Sequence, residues 1–276
     1  MTREHGQQDM WRESFKLEAE RARELAEMLE LRARDPEQSA ARQAYLDLLD
    51  LKAGDAALEV GCGSGAVTRD LARRVGLTGR ALGLEPSAEL LSIAAERAQA
   101  EGIGGIEWKV GGGEALPFGD AEFDVVLAVT TLAHMPNAEQ CVPELVRVTR
   151  PGGRVGIFDL DGDGVVLAHP DRELTRRIVM ASSDSLICDG WLARRMPSLL
   201  AAAGLRVDGV RAFTPLERNA DGFYAGMALR RADIALQSGA ITEEEQERWL
   251  GQLRELQAAG GFLGGQTHLF IWGTRP

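Results

Sequence analysis

The stretch that most constrains this chain is Leu58-Glu59-Val60-Gly61-Cys62-Gly63-Ser64-Gly65. The apolar run Ala56 to Val60 predicts a buried strand, and Ala66 to Val75 carries a helical pattern. Strand, glycine loop and helix form the first half of a nucleotide-type βαβ unit. Glycines suit such a loop because the backbone turns sharply and a ligand approaches without a Cβ in the way. Amide groups at the start of the helix then point at whatever is bound. Gly61, Gly63 and Ala66 also satisfy the loose dinucleotide pattern, so the loop alone leaves its ligand open.

Two details argue against a dinucleotide. Glu59 stands two residues before the first glycine, where its carboxylate would repel a pyrophosphate by roughly 1–4 kcal/mol at close range. An ammonium or sulfonium would be attracted instead. Gly65 also makes the loop looser than phosphate binding needs.

Farther along, strands and helices alternate as in a doubly wound sheet. A strand at Arg80 to Glu85 ends on an acid about twenty residues past the glycines, placed to accept hydrogen bonds from two ribose hydroxyls. Pro86 offers an apolar face to an adenine ring. Ser87 starts a helix over Ala88 to Ala100. A third strand covers 104–110, and Gly111-Gly112-Gly113-Glu114-Ala115 follows. Phe123 to Val129 reads as a central parallel strand buried on both faces. Thr130 and His134 lie beyond its carboxyl end, where open α/β sheets bind ligands. A helix over 138–149 and the turn Arg150-Pro151-Gly152-Gly153 lead into a fifth strand over 155–160.

Together these residues resemble the class I S-adenosylmethionine-dependent methyltransferases, in the branch of the ubiquinone and menaquinone methyltransferases. The resemblance spans about residues 45 to 160 and weakens toward the final strand. It implies a doubly wound seven-stranded α/β sheet with its last strand antiparallel. N-terminal helices and a helical insertion between the last two strands would form a cap. The implied cofactor is S-adenosylmethionine, bound by Glu59, Gly61, Cys62, Gly63, Glu85, Pro86, Gly113, Glu114, Ala115 and Thr130. The family usually carries an Asp at the position of Gly112, which accepts a hydrogen bond from the adenine amino group. Here backbone groups of 113–115 or Glu114 itself must replace it. His134 is the first candidate base, with a structural role as its alternative, and His169 is the second.

The expected division is a helical cap over 1–50, an α/β domain over 51–214 with a helical segment at 162–187, a helical lid over 215–265, and a final strand over 266–276. The expected reaction is methyl transfer to O, N or C of a small-molecule acceptor, in secondary metabolism. A non-catalytic cofactor-binding module and an NAD-dependent oxidoreductase are the rival readings. The net charge of −11 and only short basic clusters disfavour a nucleic-acid partner. No apolar run has the roughly 20 residues of a membrane span, and the polar start lacks the apolar centre of a signal peptide. A cytoplasmic protein without a membrane partner is the expectation, and a homodimer is left open. Cys62, Cys141 and Cys188 are too scattered for a disulfide framework or zinc site. The acids of 159–164 lack the spacing and closing Glu of a calcium loop, so no metal is expected. Asp161 or Asp163 would instead meet a cationic or hydroxylated substrate.

Overall fold

A computed structural model describes residues 16–276. The first fifteen residues of the expected cap, Phe15 among them, lie outside the described residues. Two helices come first, α1 (Ala19–Arg34) and α2 (Pro36–Leu48). Asp35 separates them because its side chain accepts the Gln38 N–H at 2.9 Å while Pro36 takes the first helical position.

The βα alternation follows as β1 (Ala56–Val60), α3 (Ala66–Val75), β2 (Arg80–Glu85), α4 (Ala88–Ala100), β3 (Ile106–Val110), β4 (Phe123–Val129) and α5 (Ala138–Val148). Then come β5 (Thr149–Leu167), α6 (Arg172–Leu186), α7 (Leu192–Ala202), β6 (Arg206–Phe213), β7 (Leu216–Glu217), α8 (Phe223–Gln237), α9 (Glu243–Ala258) and β8 (Gly264–Thr274). The sheet order is β3-β2-β1-β4-β5-β8-β6, and the two-residue β7 pairs with β8. The first five of these strands are parallel, and β8 is antiparallel to both β5 and β6. This is the doubly wound sheet expected, with β7 as a short eighth strand.

Apolar side chains cover both sheet faces. Val142, Leu145, Met196 and Leu200 pack on one, and Tyr45, Leu46, Val67 and Leu71 on the other. A separate core joins α6, α8 and α9 around Trp249, which is fully buried. Burying each such large side chain stabilises by about 1.5–3 kcal/mol.

Two stretches differ from the sequence expectation. The fifth strand does not end at Leu160 but runs on to Leu167, so 162–167 is strand rather than helix. The Asp and Gly residues that read as a loop form a bulge: Leu160 pairs with His268, and the next pair is Val165 with Gln266. The insertion is likewise not helical throughout, since 215–222 holds β7 and the turn before α8.

Candidate cofactor and acceptor cavity

A cavity of about 520 Å³ opens beyond the carboxyl ends of the parallel strands. Its lining comes from the glycine loop, the ends of β2, β4 and β5, and helices α1, α2, α6 and α8. Of the sequence-derived site residues, Glu59, Gly61, Cys62, Gly63, Glu85, Pro86, Gly113, Glu114, Thr130 and His134 all face it.

The loop is held by its backbone. Gly61 and Cys62 both donate to the Leu84 carbonyl, at 2.7 and 3.0 Å. Gly61 has φ +73°, and a Cβ there would lie 2.3 Å from the Thr131 Cγ2. Any side chain at that position collides with β4's end and strains the backbone. Gly63 donates to Glu85 Oε2 at 3.1 Å, while Ser87 N–H reaches Oε1 at 3.2 Å.

Two buried carboxylates sit at this end. Glu59 is 2 % exposed and accepts a short hydrogen bond from Thr68 Oγ1. Burial pushes its carboxyl up to about 8, and the neighbouring Glu85 charge adds to the rise. Burial alone raises Glu85 to about 7. Both groups therefore favour a cationic guest that would restore their charged form. Burial also pushes the Cys62 thiol well up, so it stays neutral and is no nucleophile. Glu114 lies over Gly112, where a built Cβ would be 3.1 Å from its Oε2.

Thr130 has φ +48°, an uncommon conformation for a β-branched residue. Its N–H donates to the Phe158 carbonyl at 2.6 Å, and its Oγ1 accepts from Arg32 Nη1 at 2.9 Å. His134 sits in the short 3-10 turn Leu132–His134. Asp159, 1 % exposed, fixes that turn by accepting the Ala133 N–H at 2.9 Å.

Two candidates are placed elsewhere. Ala115 is exposed and does not line the cavity, because Leu116 is the side chain that turns into the core. His169 stacks on Trp249 at 4.6 Å, its Nδ1 accepts from Asp171 N–H at 3.0 Å, and its Nε2 lies 3.0 Å from the Trp249 carbonyl. Both ring nitrogens are engaged, which corrects the reading of His169 as a base. Asp161 is paired with Arg194 at 2.8 Å, and Asp163 accepts from the Trp191 indole at 2.9 Å, so both acids serve the fold there.

The sequence reading missed the helical wall. Glu30 of α1 forms a buried ion pair with Arg69 of α3 at 3.0 Å and accepts from Ser64 Oγ at 2.9 Å. The ion pair ties α1 to α3, and the Ser64 bond ties it to the glycine loop. Arg32 also reaches the imidazole of His268, Nη2 to Nε2 3.3 Å. Arginine can only donate, so Nε2 accepts and Nδ1–H donates to the Gln266 carbonyl at 2.9 Å. The ring is neutral in this arrangement, and burial with the Arg32 charge lowers its pKa well below the usual value. The glutamates and arginines of this wall sit on regular helices and carry no local motif, so spacing offered no signal for them. Among the described residues no group of three or more His, Cys, Asp or Glu is arranged to hold a metal.

Comparison with known proteins agrees with the doubly wound fold. The family described as a methyltransferase domain matches residues 58–157. An uncharacterised 37.1 kDa protein of a transposon from Streptomyces fradiae is 30% identical over 227 residues, covering 82% of this chain and 64% of its own. A demethylmenaquinone methyltransferase of Lactobacillus johnsonii is 35% identical over 123 residues, 44% of this chain and 50% of that protein. The chain thus spans between half and two thirds of the length of these two curated relatives. Among solved structures, the YcgJ protein of Bacillus subtilis superposes with a TM-score of 0.60 at 18% identity, over 86% of this chain and 98% of that one.

Proposed function

We propose, for a chain whose residues 58–157 belong to the methyltransferase domain family, that it transfers a methyl group from S-adenosylmethionine to O, N or C of a small-molecule acceptor. The observation that carries this reading is the pair of buried carboxylates, Glu59 and Glu85, around a glycine loop in which a side chain at Gly61 would clash. That cradle fits a positively charged nucleoside without phosphates. When bound, S-adenosylmethionine supplies an electrophilic methyl group on a cationic sulfur.

The chain's own residues then have distinct tasks. Glu85 would bind the ribose hydroxyls, exchanging its backbone partners at Gly63 and Ser87 for them. Glu59 would hold the ammonium. Glu114, poised over Gly112, would take the adenine amino group. Thr130, fixed by Arg32, would separate donor from acceptor. Helices α1, α2 and α8 act as cap and lid over the strand ends, excluding water and holding the acceptor in line. His134 is the base where the acceptor must lose a proton, and Asp159 keeps its turn in place. A small molecule suits a cavity of about 520 Å³. Among the described residues no helix is long and apolar enough to cross a membrane.

The test is incubation with methyl-labelled S-adenosylmethionine and a panel of phenols, amines, quinone precursors and metabolite extracts. Label should move to one acceptor class. Uptake of a pyridine dinucleotide with no affinity for S-adenosylmethionine or its demethylated product would overturn the reading.

A further inference from the structure

The cavity has a second end whose chemistry opposes the first. Arg231 of α8 lines it and is only 9 % exposed. Its guanidinium donates to Ser182 Oγ of α6 and to Gln266 Oε1 of β8, both at 2.8 Å. These partners are neutral, and among the described residues no carboxylate pairs with Arg231. A buried charge normally retains a counter-charge, because desolvation is not offset by neutral hydrogen bonds alone. Burial pushes this guanidinium down to about 10.

A second observation points the same way. Ser183, the next residue of α6, also lines the cavity, and its buried Oγ has no hydrogen-bond partner. Two bonds from Arg231 leave further N–H groups of its five for another acceptor. Gln266 lies on β8, three strands away from β1 in the sheet order. At the usual strand spacing that is roughly 14 Å from the Glu59 strand. Apolar side chains of Leu160, Leu167, Leu186, Ile187 and Met227 also line the cavity, and all but Leu167 pack in one cluster.

We propose that Arg231 and Ser183 form an anion subsite, so that the methyl acceptor is an amphipathic molecule with an apolar body and a carboxylate or phosphate at its far end. This assignment rests on the methyl-transfer reading and names its substrate class. The guanidinium fork gives the acceptor its orientation, and the apolar wall gives it its affinity.

The test uses protein saturated with S-adenosylhomocysteine, so that the amino-acid carboxylate of the cofactor is already accommodated. Calorimetry then compares decanoate, decyl phosphate, decanol and decyltrimethylammonium. The anions should bind roughly 10–100-fold more tightly than decanol. Decanoate against decyl phosphate tells a carboxylate acceptor from a phosphorylated one. Arg231→Met should remove the preference for anions and leave decanol binding in place, whereas Arg231→Lys should keep part of it. Equal binding of decanol and the anions by the unaltered protein overturns the subsite without needing any variant to fold. So does tight binding of decyltrimethylammonium, or an undiminished anion preference in folded Arg231→Met. Failure of S-adenosylhomocysteine to bind, measured first, counts against the methyl-transfer reading. Anion selectivity would then be scored separately on the protein alone.

Discussion

The two walls of the cavity are built in opposite ways. The strand-end wall, Glu59 to Glu85, comes from one βαβ unit, and its contacts join residues close in sequence. Gly63 and Glu85, for example, are 22 positions apart. The helical wall is assembled from afar. Arg32 meets Thr130 across 98 positions and His268 across 236. The first wall is acidic and suits a cation. The second carries Arg32 and Arg231, whose hydrogen bonds go to neutral groups. On the proposed reading, these opposed ends sort donor and acceptor within one cavity.

The largest effect expected is on the joint between the walls. Glu30→Ala strands Arg69 as a buried, half-paired charge and should destabilise the protein by about 3–5 kcal/mol, read by denaturant unfolding. A loss below ~1 kcal/mol would mean that α1 and the loop are not coupled. Next, Glu85→Ala should weaken S-adenosylhomocysteine binding by roughly 10–100-fold in calorimetry, with little change in decanoate affinity. An equal loss for both ligands would erase the division between the walls.

A smaller effect follows from pH. Glu59 and Glu85 are raised to about 8 and about 7 in the folded protein. Folded protein therefore holds protons that the unfolded chain has released, so their contribution is full below about 4.5 and is lost as pH climbs through 7 to 8. A cationic ligand favours the ionised carboxylates and expels those protons. Affinity for S-adenosylmethionine should rise between pH 6 and 8, by up to about tenfold per unit for each proton released. Calorimetry in buffers of different ionisation enthalpy measures that release. A flat profile would place the cationic groups away from both acids.

The same contrast explains what was legible beforehand. The strand-end wall could be read because a glycine loop, an acid at a strand end and a fixed spacing are local signals. Boundaries of β1, α3, β2, α4 and β4 follow from the same alternation. The helical wall could not be read, since Glu30, Arg32 and Arg231 look like solvated helix charges until the fold buries or partners them. His169 misled because His-Pro-Asp before a helix suits both a cap and a site, and Trp249, which claims its ring, is 80 positions away. The fifth strand was cut short at Leu160 because glycines and aspartates ordinarily end a strand.

That bulge sets a parity for everything beyond it. Leu160 and Val165 are an odd number of residues apart, yet they pair with His268 and Gln266, which are two apart on an unbroken stretch of β8. Side chains alternate along a strand, so the irregularity is what brings Leu160 and Val165 to one side. Deleting a single residue from 161–164 would interchange inward and outward positions along 165–167 and leave the parallel half of the sheet untouched. On the methyl-transfer reading, acceptor choice is thus open to change by length as well as by substitution, because Val165, Val166 and Leu167 line the cavity.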